Sequence, residues 1–159
     1  MKQAYTLIFI FFIISACKHK AQPVEVMTMN DTRPIKELKE LVLSKGDTVA
    51  YDELSIAYLN EEFGEEYLLY SLVMANKYHY PHAYYHVFAC LISVYENNNI
   101  AIDNETVELA ICYIKKGAEL KEGNSLAFLS DLYNEGKYVD RDTILGNKLA
   151  KEAHKIRGF

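Results

Sequence analysis

Three stretches of this chain carry the same mark. Leu54-Ser55-Ile56-Ala57-Tyr58, Leu91-Ile92-Ser93-Val94-Tyr95 and Leu129-Ser130-Asp131-Leu132-Tyr133 each set a leucine and a tyrosine four residues apart, and they recur at intervals of 37 and 38 residues. A spacing of four puts both side chains on one helical face, and no stretch alternates as a half-buried strand would. A unit that returns at such an interval cannot bury its apolar face alone and has to stack on its neighbours. Each block is followed by a short polar loop and a second helical pattern, in which Tyr67, Tyr70 and Ala75 correspond to Ala110, Tyr113 and Ala118. The expectation is an all-α fold: a short α-solenoid of about three helical hairpins, with units near 47–79, 80–121 and 122–159. One further helix precedes them, opened by Pro34, stopped by Gly46 and apolar along Ile35, Leu38, Leu41 and Val42. Half of the 159 residues are apolar and a quarter charged, with 7 Gly and 3 Pro, which suits one globular domain and excludes a disordered tail or a collagen-like chain.

Residues 1–16 read as an address rather than as fold. Lys2 supplies the positive start and Leu7 to Ile14 form an unbroken apolar run of eight residues, too short to span a bilayer. The run ends in Ile14-Ser15-Ala16-Cys17, which resembles the lipobox of bacterial lipoproteins: aliphatic, small, small, Cys. That resemblance implies cleavage before Cys17, acylation of its thiol, and a mature chain held on a membrane by lipid. Two or three acyl chains hold a protein durably where one does not. The alternatives are ordinary secretory cleavage at Ala16 and an uncleaved anchor. Lys18 stands where such proteins often carry an inner-membrane retention Asp, so the resemblance places the chain at the outer membrane, facing the periplasm. Residues 17–33 are polar and without helical pattern, and read as a tether; the helical repeat domain is then 34–159.

The repeat itself resembles the Sel-one-like family, relatives of the tetratricopeptide repeats. Leu129, Tyr133, Gly136, Val139, Asp142 and Ala153 fall where that family has Leu, Tyr, Gly, Val, Asp and Ala. The departures are Ser55 and Ser130 for a small Gly, Tyr138 for a loop Gly, and Gly146 for an Ala. Tyr70 and Tyr113 stand where an aromatic is preferred. The resemblance implies paired helices that approach closely through small residues, with a helix-ending turn at Gly136. A plain helical bundle is the alternative.

Pro81 should open the first helix of the second unit, placing His82 and His86 on one face. Two histidines at that spacing can ligate a metal, but a third ligand is missing, so no metal and no cofactor are expected. His82, Tyr84, Tyr85 and His86 are instead the candidate partner-binding residues; Val87, Leu91 and Val94 face the core, while His82, His86, Ala89 and Ser93 share another face. First-helix faces are the usual binding surface of repeat solenoids. The alternative has the Tyr rings packed between units and the histidines in water. Cys90 and Cys112 lie in the two helices of one unit at matched heights, which admits a disulfide in an oxidising compartment, or two small buried thiols. Glu61, Glu62, Glu65 and Glu66 form an acidic cluster, read as a solvated helix end or as a lure for a basic partner. Lys115, Lys116 and Lys121 are scattered, and a net charge of −5 leaves nothing to attract nucleic acid. No nucleophile elbow, phosphate loop or dinucleotide fingerprint appears, so no enzyme is expected.

The functional expectation is a membrane-anchored envelope lipoprotein whose repeats bind a protein or peptide. The alternatives are a periplasmic immunity-type inhibitor of a toxic enzyme and an envelope enzyme or cell-wall-ligand binder. The helix ending Arg157-Gly158-Phe159 is expected to leave the last unit partly bare, as a docking or dimer face.

Overall fold

The computed structural model describes residues 33–59, 65–97 and 100–158. The signal segment 1–16, Cys17, the tether up to residue 32, and Glu61 and Glu62 lie outside the described residues. Within them the chain is all-helical: α1 (Ile35–Lys45), α2 (Thr48–Leu59), α3 (Glu65–Asn76), α4 (Pro81–Asn97), α5 (Asn104–Glu119), α6 (Gly123–Glu135) and α7 (Thr143–Arg157).

The helix ends follow local chemistry. Asp103 accepts the Thr106 N–H, Glu122 those of Asn124 and Ser125, and Asp142 those of Ile144 and Leu145, each occupying donors that the first helical turn leaves unpaired. Gly46 and Gly136 end α1 and α6 in the left-handed region, at φ 65° and 73°. Tyr138, in the turn before α7, also takes a positive φ of 63°. His79 and Lys121 also adopt positive φ, each two residues before a helix that opens a unit.

Side-chain pairings set the directions of the helices. Tyr51 meets Ser71 and Tyr58 meets Glu66, so α2 and α3 are antiparallel. Asn124 meets Arg157 while Ser130 meets Gly146, so α6 and α7 are too. The Tyr84 ring lies tilted against that of Tyr113, and Tyr95 reaches Asp103, which orients α4 against α5. His82 meets Asn124 and Tyr85 meets Phe128, so the first helices α4 and α6 run parallel. Helix α1 packs on α2 and α3, as a lid over the first unit.

Two apolar clusters fill the interior. One gathers Leu38, Val42, Tyr51, Leu54, Tyr67, Met74 and Val87 beneath α1 to α4. The other gathers Phe88, Ile92, Ile111, Ile114, Leu126, Leu129 and Ala153 beneath α4 to α7. Helix α4 feeds both, from opposite sides. Of the face expected for α1, Leu38 and Val42 are buried, whereas Ile35 lies at the rim, 41% exposed.

Two expectations need correction. Cys90 and Cys112 are free thiols: Cys90 points into the first cluster, Cys112 outward from α5. Similar heights along two helices do not suffice, because a bridge also needs Cβ vectors that converge. His86 is not at the surface but 5% exposed. The outer face of α7 is left uncovered, as expected: among the described helices α7 packs on α6 alone, and Ile144, Asn147, Lys148, Lys151, His154 and Lys155 are exposed along it.

Candidate functional site

The four residues singled out on α4 separate. Tyr84 and His86 are buried, at 6% and 5% exposure, while His82 and Tyr85 are half-buried at the surface. The cause is angular. A helix turns 100° per residue, so Tyr84 faces α5, where its ring lies 6.0 Å from that of Tyr113, and His86 faces α2 and α3.

His86 is the hub of a buried polar cluster. Its Nδ1 lies 2.9 Å from the Tyr51 hydroxyl and 2.8 Å from that of Tyr67. Tyr51 donates to Ser71 Oγ at 2.9 Å, and Ser71 donates to the Tyr67 carbonyl at 3.0 Å. With the Tyr51 proton on Ser71, all these bonds hold together only if Nδ1 of His86 carries the ring proton and donates. Burial, and then the neighbouring His82, push the His86 imidazole down to about 3, so it stays neutral. Burial likewise raises the Tyr51 and Tyr67 phenols well above their ordinary range. These groups satisfy one another, and neither tyrosine is poised to ionise.

Above this cluster the surface carries a chain of polar contacts that crosses three units. Asp52 on α2 accepts from Tyr80 at 2.9 Å and stands 3.4 Å from His82 Nδ1. His82 Nε2 lies 3.3 Å from the Asn124 amide nitrogen, and Arg157 donates to Asn124 Oδ1 at 2.6 Å. Burial and the Asp52 hydrogen bond push the Tyr80 phenol up to about 12. An aromatic strip runs beside this chain. The His82 ring is parallel to that of Tyr85, with centroids 6.3 Å apart, and Tyr85 lies 5.1 Å from Phe128, which is 43% exposed. An aromatic step edged by both signs of charge suits contact with an extended segment of another chain.

A second concavity opens on the far side of α4. It measures about 610 Å³ and is lined by Asn76, Tyr84, Leu109, Cys112, Tyr113 and Lys116. Its wall is pinned where Asn76 and Tyr113 exchange hydrogen bonds of 2.7 and 3.1 Å. Cys112 is on its wall; Cys90 is not, and burial pushes that thiol up to about 12, which keeps it protonated and unreactive.

At the mouth of the first unit, Glu66 accepts from Lys39 at 2.5 Å and from the hydroxyls of Tyr58 and Tyr70 at 2.5 and 3.2 Å. The Lys39 ammonium lies over both rings, at 5.7 and 5.8 Å from their centroids. Its hydrogen bond to Glu66 raises the Lys39 ammonium, and the same bond lowers the Glu66 carboxyl. So Glu66, although half of its side chain stays in solvent, ties α3 to α1.

No group of three or more His, Cys, Asp or Glu side chains that could hold a metal occurs among the described residues, and no helix there is long and apolar enough to cross a membrane. Searches against protein-family models, curated proteins and solved structures find no match for this chain. Sequence reasoning missed Asp52, Asn124, Phe128 and Arg157. They come from three distant elements, α2, α6 and α7, and are linked through His82 of α4. Their signal was present in one form: each lies at the start, on the first helix or at the end of a recurring unit.

Proposed function

We propose that this protein is a lipid-anchored envelope protein, held by Cys17, whose helices form a short Sel-one-like α-solenoid that binds a protein or peptide. The observation that carries the binding role is the surface formed by first helices and the end of α7. Asp52, His82, Asn124 and Arg157 make one hydrogen-bonded line, and Tyr85 and Phe128 make an apolar step along it. A binding role is favoured over a catalytic one because His86 is occupied by Tyr51 and Tyr67 and Cys90 is enclosed in the core. The lipobox Ile14-Ser15-Ala16-Cys17 and its apolar leader support the anchor.

The binding role is tested by placing a photo-crosslinking amino acid at position 128 of the full chain in cells. Adducts of one discrete mass that vanish with Asn124→Ala or His82→Ala support this surface. Adducts formed only from position 109 move the site to the groove beside Tyr84 and Tyr113, the second reading, which its volume of about 610 Å³ favours. The anchor is tested by the mass of the mature N-terminal peptide: a diacylglyceryl cysteine at its first position is expected, and an unmodified Cys17 would refute it.

A further inference from the structure

Helix α7 presents two opposite faces. Gly146 and Ala153 are buried against α6, and half a turn away Ile144, Lys148, Lys151 and Lys155 line up within a narrow arc. All three lysines are exposed, and Ile144, at the head of the line, is 85% exposed. Among the described residues none of these lysines has a carboxylate partner. The helix carries one acid, Glu152, and it is drawn aside to Lys121 at 2.6 Å. A row of positive charge without counter-charge, headed by a bare aliphatic side chain, therefore stands on a chain whose net charge is −5.

We propose that this face of α7 lies on the anionic phospholipid surface of the membrane that carries the protein, with Lys148, Lys151 and Lys155 at lipid phosphates and Ile144 in the headgroup layer. The proposal rests on the lipid anchor at Cys17. Charge selects the face. An acidic chain approaching an anionic surface is repelled over most of its exterior, so the uncompensated basic row is the part that can be turned toward it. Ile144 fits the same environment, since a single apolar side chain gains by entering the headgroup boundary beside lysines that stay at the phosphates. Tethering makes weak attraction sufficient. The seventeen residues from Cys17 to Arg33 reach at most roughly 60 Å, which confines the domain near the bilayer at a high effective concentration. A contact too weak to recruit a free protein can then orient one already anchored.

The full chain is reconstituted into phosphatidylglycerol vesicles and, separately, into phosphatidylcholine vesicles, and its amines are acetylated and quantified by mass spectrometry. Lys115, exposed on α5, serves as the internal reference. The expected result is labelling of Lys148, Lys151 and Lys155 about threefold lower with phosphatidylglycerol at about 50 mM salt, returning to the phosphatidylcholine value at about 500 mM. Equal labelling in the two lipids overturns the proposal. So does protection by inorganic phosphate added to phosphatidylcholine vesicles, which would mark a site for a free anion instead. Flotation with phosphatidylcholine vesicles reports the anchor independently. If the chain does not float there, the anchor reading falls, and labelling at high lipid concentration still decides whether this face meets an anionic surface.

Discussion

Between α2 and α3 stand the rings of Tyr51, Tyr58, Tyr67 and Tyr70; between α6 and α7 stand Ser130, Gly146 and Ala153. The first pair keeps its backbones apart and fills the space with stacked phenols, Tyr51 on Tyr67 at 5.6 Å and Tyr58 near Tyr67 at 5.4 Å. The second brings its backbones together, so close that a Cβ on Gly146 would lie 3.0 Å from the Ser130 carbonyl, and Ser130 Oγ donates to the Gly146 carbonyl at 2.8 Å. One recurring leucine–tyrosine pattern thus supports two ways of joining helices. Wide spacing needs large side chains whose hydroxyls find partners, and α4 supplies one through His86. Narrow spacing needs no side chain at all, and polar atoms can be satisfied on the backbone.

The comparison breaks most visibly at Tyr67. Tyr67→Ala empties the space between α2 and α3 and removes one of the two hydroxyls at His86 Nδ1, and should cost about 3–5 kcal/mol in urea unfolding. A loss below about 1 kcal/mol would mean that the ring layer does not hold this pair together. Acid comes next. The His86 imidazole sits at about 3 in the folded chain against an ordinary 6.5, so the unfolded chain takes up the proton first. The stability gained from keeping this ring neutral is complete above about pH 6.5 and drains as the pH falls toward 3, by up to about 1.4 kcal/mol per pH unit. His86→Gln should flatten that slope between pH 6 and about 4, and an unchanged slope would assign the acid sensitivity elsewhere. In the α6–α7 pair, Gly146→Ala should cost about 1–3 kcal/mol, because Asn134 can swing away from the new methyl but the Ser130 carbonyl cannot. A neutral result would show that α7 is free to shift outward. Smallest is Asp142→Ala, which removes the cap at the start of α7 and should cost about 1 kcal/mol, read from the same unfolding curves.

Much of the fold was legible because it is written locally. Pro34 and Pro81 mark helix starts, Gly46 and Gly136 mark ends, Asp103 and Asp142 cap, and each does so through contacts within a few residues. The polar interior was not legible. Thirteen tyrosines without a tryptophan hinted that hydroxyls would need partners inside, but nothing in the spacing of α4 says that His86 rather than His82 turns inward. That depends on where α2 and α3 stand, which is a tertiary fact. The same holds for Cys90 and Cys112, whose heights could be counted along the chain but whose directions could not, and for the line from Asp52 to Arg157, whose members span a hundred residues of sequence.

The placement of Cys90 gives the tyrosine half of the molecule a clock. Its thiol is fully enclosed beneath α2, α3 and α4, whereas Cys112 stands in solvent. A thiol reagent added to the native protein would consume Cys112 at once and then wait for the interior to part before it reached Cys90. The length of that wait measures how often the ring layer opens, and at what free energy, without any need to unfold the α6–α7 half.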